Sequence, residues 1–429
     1  MNILVVGNGG REHAIVWKVA QSPKVDKIYC APGNAGIASL AECLDVKADD
    51  ITGLFKIVRD KKIDLIIVGP EIPLSLGIVN LFEKYHYPVF GPTKEATEIE
   101  SSKVFAKYLM DKYHIPTAKY RVFEDDYQAL SYLREQSFPL VLKADGLAGG
   151  KGVLIVNNLS QAKEAIFYIM REKNFGEAGN RIIIEDFLNG EEVSMLVFSD
   201  GRNFLPMVSS QDHKKIGDGD RGPNTGGMGA YSPVPFFNEN SKAWVLKNIF
   251  QPAIQGMEKE GRTFKGVLYA GLILTEEGPK VLEFNARFGD PETQVILPAL
   301  KTDLVEIIQA TLNGCLDQTN IEWADQASVC VVMASGGYPA KYEKGKTVYG
   351  LEELKDNKNV VIFHAGTEKK NNKVVTAGGR VLGVTAWGKG LPEAIEKSYE
   401  GVNKIYFEKQ YYRKDIGKKG IKLAPGKRE

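Results

Sequence analysis

The chain has 429 residues, 43% of them hydrophobic, and 55 Lys plus Arg against 54 Asp plus Glu give a formal net charge of +1. That length exceeds one ordinary hydrophobic core and predicts roughly two to four domains or subdomains. The near-neutral balance leaves no electrostatic footprint for nucleic acid or an acidic membrane, and no apolar run approaches the length needed to span a bilayer.

The chain opens on NILVV, which starts as a strand and not as a signal peptide. GNGGREHAIVWKVA follows as a glycine turn entering a helix, KIYCAPGNAG as a second strand and turn, and DLIIVGPEIPL and PVFGPT repeat the strand-then-glycine pattern. Such a βαβ series predicts a parallel sheet with ligand-binding loops at the strand ends. The first turn departs from a dinucleotide fingerprint, because Glu12 replaces the third glycine and the second strand ends in Ala31-Pro32 where a ribose-binding acid is wanted. NAD binding is set aside on that ground. Gly7, Gly9, Gly10, Arg11, Asn34, Pro70 and Glu71 would share one edge of the sheet. A phosphate beside Gly9 and Gly10 at the helix N-terminus is physically natural; the competing reading is tight turns alone. Cys30, Cys43, Cys315 and Cys330 lack metal-like spacing and read as free thiols of a reducing cytoplasm.

From about Ser101 the pattern changes. SSKVFAKYLMDKYHIPTA reads as an amphipathic helix with Ser101 or Ser102 as its cap and Pro116 beyond its end. FPLVLKADGLAGGKGVLIVNN gives strand, glycine-rich loop, strand. The loop is not a Walker P-loop, since Gly146 to Lys151 is one residue short, Gly152 stands where Ser or Thr is required, and a strand follows. Its amides can still cradle phosphate, with Lys143 and Lys151 adding charge, against the alternative of a flexible surface hairpin. Residues 160 to 172 read as a helix capped by Ser160, and RIIIEDFLNGEEVSMLVFSDG as two strands joined at Glu185-Asp186-Phe187-Leu188. A strand edge leaving a core between two subdomains is a natural adenine slot, with Glu192 within reach of a ribose. DHKKIGDGDRGPNTGGMGAYSPVP, residues 212 to 235, is too long, polar and glycine-rich for an ordinary connection and reads as a ligand-ordered active-site loop.

Residues 241 to 260 are predicted helical, and FKGVLYAGLILTEEGPKVLEFNARFGD forms a strand hairpin. In VLEFNARFGDPE, alternation puts Glu283, Asn285 and Arg287 on one face and Leu282, Phe284 and Phe288 on the other. A carboxylate and an amide oxygen two residues apart are ligands of the kind Mg²⁺ prefers, and the guanidinium can hold phosphate oxygens. Alternation alone fits a half-exposed strand with a solvated face equally well. Asp290-Pro291-Glu292 reads as an N-cap, a proline at the first helical position and an acid in the first turn. DLVEIIQATLNG is a capped helix closing at Gly314. After a boundary near Asp325, ASVCVVMASGGYP, VVIFHAGT and VVTAGGRVLGVTAWG start a fresh strand series, followed by the helix LPEAIEKSYEGVNKIYF. His364, at a strand end without neighbouring ligands, reads as structural. The basic tail of Lys414, Lys418, Lys419, Lys422, Lys427 and Arg428 reads as a solvated terminus.

Together the lysine pair, the glycine hairpin, the hinge and the Glu-x-Asn strand resemble the ATP-grasp ligases, which clamp ATP between two α+β subdomains. GNGGREHA, PGNAG, KADGLAGGKGV, the DHKK to SPVP loop, EFNARFGDPE and HAGT narrow the resemblance to the glycinamide ribonucleotide synthetase family, over nearly the whole chain. The resemblance implies an α/β and α+β multidomain fold. Its parts are an N-terminal parallel-sheet substrate-binding domain (1–100), a two-subdomain ATP-grasp core (101–325, with a mobile lid at about 119–190) and a C-terminal mixed β domain (326–429). It implies that ATP, glycine and 5-phosphoribosylamine give ADP, phosphate and glycinamide ribonucleotide through glycyl phosphate, the second step of de novo purine synthesis. Such catalysis is mostly positioning plus charge stabilisation.

By motif, Arg287, Lys214 and Asp212 would be catalytic. Lys103, Lys143, Gly149, Gly150, Lys151, Gly152, Glu185, Phe187, Leu188 and Glu192 would bind ATP, and Glu283 and Asn285 would hold Mg²⁺ or Mn²⁺. Gly9, Gly10, Arg11, Glu12, Asn34, Pro70, Glu71, Asn224, Thr225, Gly226, Gly227, Asp290, Pro291 and Glu292 would meet the other substrates. Partners would be small molecules only, with no nucleic acid or membrane, for a cytoplasmic monomer or at most a weak dimer. The hairpin of residues 146 to 152 would be the lid that shields the acyl phosphate from water. One departure from many ATP-grasp enzymes stands out: GVLYAGLIL carries no carboxylate, so phosphate oxygens and water, or an acid from elsewhere, would complete the metal shell. The rival within the fold is another carboxylate-amine ligase or a carboxylase of purine or biotin metabolism, which should lack the GPNTGGMG loop.

Overall fold

The computed structural model describes residues 1–149 and 152–424; Gly150 and Lys151 of the glycine hairpin, and residues 425–429, lie outside the described residues. The apolar strands Asn2–Gly7, Lys27–Pro32, Leu65–Val68 and Val89–Phe90 pair in parallel with the short Glu42–Cys43 in a five-stranded sheet. Asn2–Gly7 sits at its centre, with Lys27–Pro32 on one side and Leu65–Val68 on the other. The connections reverse direction there, so the crevice at its carboxyl end, walled by residues 7–9 and 69–71, is the natural ligand position.

The expected helix from Ser101 is interrupted at its start. Lys94–Ser101 ends at Ser102, and Lys103–Lys112 begins anew with the Ser102 hydroxyl accepting from the Phe105 amide at 3.2 Å. Lys103 thereby becomes the first residue of a helix. Tyr120–Phe123, Ile182–Asp186, Leu140–Ala144 and Val153–Val156 form a four-stranded antiparallel lid sheet, whose own core includes Leu133, Leu142, Ile166 and Ile184. The lid helix Leu159–Ile166 is capped by Asn158, two residues before the expected Ser160; its side chain accepts from the Gln161 amide at 3.0 Å.

A second four-stranded sheet joins Phe204–Pro206, Glu191–Asp200, Lys265–Thr275 and Gly278–Asn285. The register of the last pair slips opposite Gly271 and Leu272, which leaves Leu282 as an extra residue. Val281, Phe284 and Ala286 are buried while Leu282 is only half-buried, so the bulge corrects the expected strict alternation. Past the strand, the helix begins at Thr293 with Glu292 at its N-cap position and no side-chain cap, which corrects the expected Asp290 cap. Asp290 is drawn instead to Gln294 and Arg380.

Ala327–Ala334 is buried along its whole length, so both its edges need partners. Arg380–Gly388 pairs on one side and Gly229–Ser232 on the other, and Gln211–Asp212 and Val360–His364 complete an antiparallel sheet. The ends of the polar 212–235 segment are therefore strands of the C-terminal sheet. Between them Lys215–Gly217 and Arg221–Asn224 pair as a small ribbon, so the expected ligand-ordered loop contains strands of its own. Strands this short carry no usable period-2 signal. One hydrophobic cluster, including Met195, Phe284, Val329 and Phe407, runs through both regions. No helix among the described residues is long and apolar enough to cross a membrane.

Candidate active site

The Glu283 strand lies where the two four-stranded sheets and the N-terminal domain meet. Lys143, on the lid strand, donates to the carbonyl of the bulged Leu282 at 3.0 Å and pairs with Glu185 at 3.0 Å. Lys103 caps the hairpin's entry by donating to the Gly146 carbonyl at 2.7 Å. Burial alone would raise the Glu283 carboxyl, but Lys214, Lys143, Lys103 and Arg287 outweigh it and hold the group below the usual carboxylate range. Burial lowers the Lys103 ammonium, an effect that Glu283 opposes. The field of four cations thus acts on one carboxylate, an arrangement suited to a polyanionic ligand.

Arg287 is fixed from three sides: Glu100 at 3.0 Å, Glu71 at 3.3 Å and the Asn285 side-chain oxygen at 3.1 Å. Glu100 also accepts from the Ala286 amide at 2.6 Å, so it anchors both the guanidinium and the backbone beneath it. Sequence reasoning missed Glu100, although an acid immediately before the SSK capping signal was visible. Glu283 and Asn285 fit a hard divalent cation as oxygen donors, since the Glu283 carboxylate makes no ion pair among the described residues. No group of three or more His, Cys, Asp or Glu gathers as a metal nest among those residues.

At the hinge, the buried Glu185 is shared by Lys143 and by Lys107, the latter at 3.2 Å. Lys107 is a second residue the sequence reading missed; the signal was its i, i+4 spacing from Lys103. The second carboxylate oxygen of Glu185 has no protein partner. A buried acceptor left so costs about 1–3 kcal/mol, which a ligand donor would recover. Phe187 is exposed and Leu188 half-buried on the turn that follows, where an adenine could lie. Glu192 pairs with Lys214 at 2.9 Å. Burial disfavours the Lys214 charge, yet Glu192 and then Glu283 hold the ammonium above its usual value.

The remaining predicted residues meet on the other side of Arg287. Glu292 is buried and accepts from the Tyr269 hydroxyl at 2.6 Å and the Ser194 hydroxyl at 3.2 Å. Burial, and then the nearby Glu292, push the Asp212 carboxyl well above its ordinary value. One Asp212 oxygen is buried without a protein partner. Gly227 has φ +106, and a Cβ there would lie 2.7 Å from Asp212 and 2.5 Å from Pro291, so only glycine lets these segments approach. Thr225 donates to the Lys214 carbonyl at 2.9 Å and accepts from the Gly227 amide at 3.0 Å, closing the turn, while Asn224 pairs opposite Lys215.

From the N-terminal sheet, Glu12 accepts from the Gly9 amide at 2.6 Å and pairs with Arg11 at 2.5 Å. Arg11 in turn donates to the Phe288 carbonyl at 3.1 Å. A Cβ on Gly69, beside Pro70, would lie 2.1 Å from Glu12, so this carboxylate is wedged between the two crevice turns. Asn34 uses its side chain on its own loop: its amide donates to the Asn8 and His364 carbonyls, and its oxygen accepts from Gly36 and Ile37. It shapes the crevice through backbone and leaves no free side-chain group. Arg380, also missed, joins the sides by pairing with Asp290 at 3.1 Å and donating to the Gly226 carbonyl. His364 is buried against His13 and bonded to Thr367, in keeping with a structural role. Gly149 and Gly152 flank the two hairpin residues that lie outside the described set.

A lid sheet whose Lys143 reaches the Glu283 strand of a second four-stranded sheet is the arrangement of an ATP-grasp enzyme. The fold is shared with the biotin carboxylase of Campylobacter jejuni, solved as a beta-gamma-ATP complex, at TM-score 0.75 and 15% identity over 97% of this chain and 94% of that one. The family models described as phosphoribosylglycinamide synthetase N domain, ATP-grasp (A) domain and C domain match residues 1–100, 101–293 and 328–419. The chain belongs to the phosphoribosylglycinamide synthetase family. It is 52% identical to the phosphoribosylamine–glycine ligase of Caldanaerobacter subterraneus subsp. tengcongensis, over 97% of this chain and 99% of that protein. It is 48% identical to that of Pseudomonas aeruginosa, over 99% and 100%. The crystal structure of the Thermotoga maritima phosphoribosylamine–glycine ligase superposes at TM-score 0.85, with 34% identity over 97% of this chain and 100% of that one.

Proposed function

We infer that the chain ligates glycine to 5-phosphoribosylamine at the expense of ATP, giving glycinamide ribonucleotide, ADP and phosphate through glycyl phosphate. The observation that carries this reading is the geometry around the Glu283 strand, where Lys143 donates to the Leu282 carbonyl and Arg287 is held by Glu71, Glu100 and Asn285. Lys103 and Lys143 bind the phosphates, and Arg287, held by Glu71 and Glu100, steadies the transferring group. Glu283 and Asn285 would hold Mg²⁺ or Mn²⁺, which when bound neutralises charge on the phosphates. The unpartnered oxygens of Glu185 and Asp212 are matched to donors on the ligands: the exocyclic amine of adenine at the hinge, and an amino group of the acceptor substrates beside Glu292. The Arg11, Glu12, Gly9 and Gly10 turn, facing the switch-point crevice, suits the sugar phosphate. The hairpin of residues 146–152 serves as lid.

We take the domains as 1–100, 101–325 and 326–429, with the lid at about 119–190; the lid has a sheet and a core of its own, whereas residues 211–232 share a sheet with the C-terminal strands. The chain is read as a monomer, or at most a weak dimer, acting on small molecules, since one chain supplies every residue invoked; sedimentation at working concentration tests this. A cytoplasmic setting is supported by the four free thiols, and cell fractionation tests it. The decisive experiment measures ADP release with glycine and 5-phosphoribosylamine omitted in turn. Release should need both acceptors together, and glycine-independent release would sink the assignment.

A further inference from the structure

The ribbon formed by Lys215–Gly217 and Arg221–Asn224 is poorly built to stand alone. Its strands span only three and four residues, and Arg221, Gly222 and Pro223 are exposed. A two-stranded hairpin of that size is marginal in water, yet it continues directly from Asp212 and Lys214. What holds it is the segment expected to be a solvated tail. Three consecutive residues each grip one residue of the ribbon's turn: Arg413 pairs with Asp220 at 2.8 Å, the Lys414 amide donates to Asp218 at 2.8 Å, and Asp415 accepts from the Gly219 amide at 2.8 Å. Arg413 also donates to the Lys215 carbonyl at 3.0 Å, and Tyr411 donates to the Ile216 carbonyl at 2.8 Å.

Arg413 is 1% exposed, a burial that a guanidinium tolerates only when paired and hydrogen-bonded. Asp415 takes it in bidentate fashion at 2.8 and 2.7 Å. The segment has a firm base of its own. Tyr411 exchanges backbone hydrogen bonds with Ala334, and the Tyr399 hydroxyl donates to the Arg413 carbonyl at 2.8 Å. Farther on, Lys419 reaches Glu191 at 2.6 Å, next to the Glu192 that holds Lys214.

We propose that residues 411–419 are a strap that positions the acceptor-site ribbon, with Arg413 as its buried positioning residue. Arg413 touches no substrate; it sets the Lys215 carbonyl and the turn at residues 218–220, and through them the direction in which Asp212 and Lys214 face the cleft. The inference rests on the assignment of residues 212–227 to the acceptor site.

Arg413→Ala and Arg413→Lys are tested by steady-state kinetics for each substrate, by tryptic cleavage at Lys215 and Arg221, and by addition of guanidinium. The strap requires cleavage within the ribbon to accelerate at least tenfold in Arg413→Ala. It also requires kcat/KM for glycine and 5-phosphoribosylamine to fall at least tenfold while the KM for ATP stays within about twofold, with partial recovery in guanidinium. Lysine, which cannot make the bidentate contact, should recover less than guanidinium does. Asp220→Ala, at a half-exposed position, repeats the kinetic pattern more mildly if Arg413→Ala does not fold. Unchanged ribbon cleavage would overturn the strap itself. Faster cleavage with unchanged acceptor kinetics would overturn the proposal through the loop assignment, and a parallel loss of ATP affinity and thermal stability would show a merely structural role.

Discussion

The guanidinium of Arg380 lies 3.1 Å from the Asp290 carboxylate and donates a second bond to the Asp290 carbonyl at 2.8 Å, tying the turn after the Glu283 strand to a strand of the C-terminal sheet. Burial alone would raise the Asp290 carboxyl, but Arg380 and then Arg11 hold it below the ordinary range, so it stays ionised in the cleft. Since Arg380 also holds the Gly226 carbonyl, one side chain sets the spacing of the turns at Gly226 and Asp290. Arg380→Gln should therefore lower kcat/KM for the acceptor substrates by about tenfold to a hundredfold, the worth of charge-assisted bonds of 1.5–3 kcal/mol. ATP affinity should be nearly unchanged, as separate titrations of the three substrates would show.

Glu283 faces the cleft and not the core. Glu283→Gln is expected to keep the fold and to lose turnover by about 10²–10³-fold, the usual cost of removing one preorganised charge contact. Circular dichroism and acceptor-dependent ADP release measure the two sides. Retained activity at ordinary Mg²⁺ concentration would show that Glu283 is not a metal ligand.

Lys107 gives the site a pH dependence. Burial pushes its ammonium down to about 8, against the pull of Glu185. Between about pH 8 and the unfolded lysine value near 10.4, the unfolded chain binds the extra proton, so this group makes stability rise with pH across that window. For function the direction is opposite: once Lys107 is neutral, Glu185 draws more strongly on Lys143 alone. The KM for ATP should climb as pH passes about 8, and Lys107→Arg, which does not titrate there, should flatten the climb.

Acid should loosen the contact between the N-terminal and C-terminal domains. Burial holds His364 down at about 4, and burial together with the nearby His364 holds His13 well below its usual value. As pH falls from about 6.5 toward 4 the unfolded chain takes up protons that the folded chain refuses, so stability is lost over that interval at about 1.4 kcal/mol per pH unit per group. Chemical denaturation at pH 7 and pH 5 should show the loss, and His364→Asn should reduce its slope by about one proton.

Much of the site was legible because chemistry concentrated in short, unusual strings. The lysines around the glycine hairpin, the Glu-x-Asn-x-Arg face and the glycine turns of the first sheet announced themselves by residue type and spacing, as did the parallel N-terminal sheet by its buried apolar runs. Glu185 was placed at the hinge, but its role as the shared partner of two lysines was not visible. Glu100, Lys107, Arg380 and Arg413 act on residues far along the chain, and a long-range partner leaves no local pattern.

Residue order by itself determined the type of the longer elements, the one-sided polarity of the Glu283 strand and the family to which the chain belongs. Only the tertiary structure decided that the ends of the 212–235 segment are strands of the C-terminal sheet, that a bulge at Leu282 turns a carbonyl to Lys143, and that Arg413 to Asp415 of the basic tail grip the turn at residues 218–220. The physical reason is common to all three. Strand pairing and buried ion pairs are settled by which surfaces remain unsatisfied once the cores have formed, and that depends on the whole chain at once.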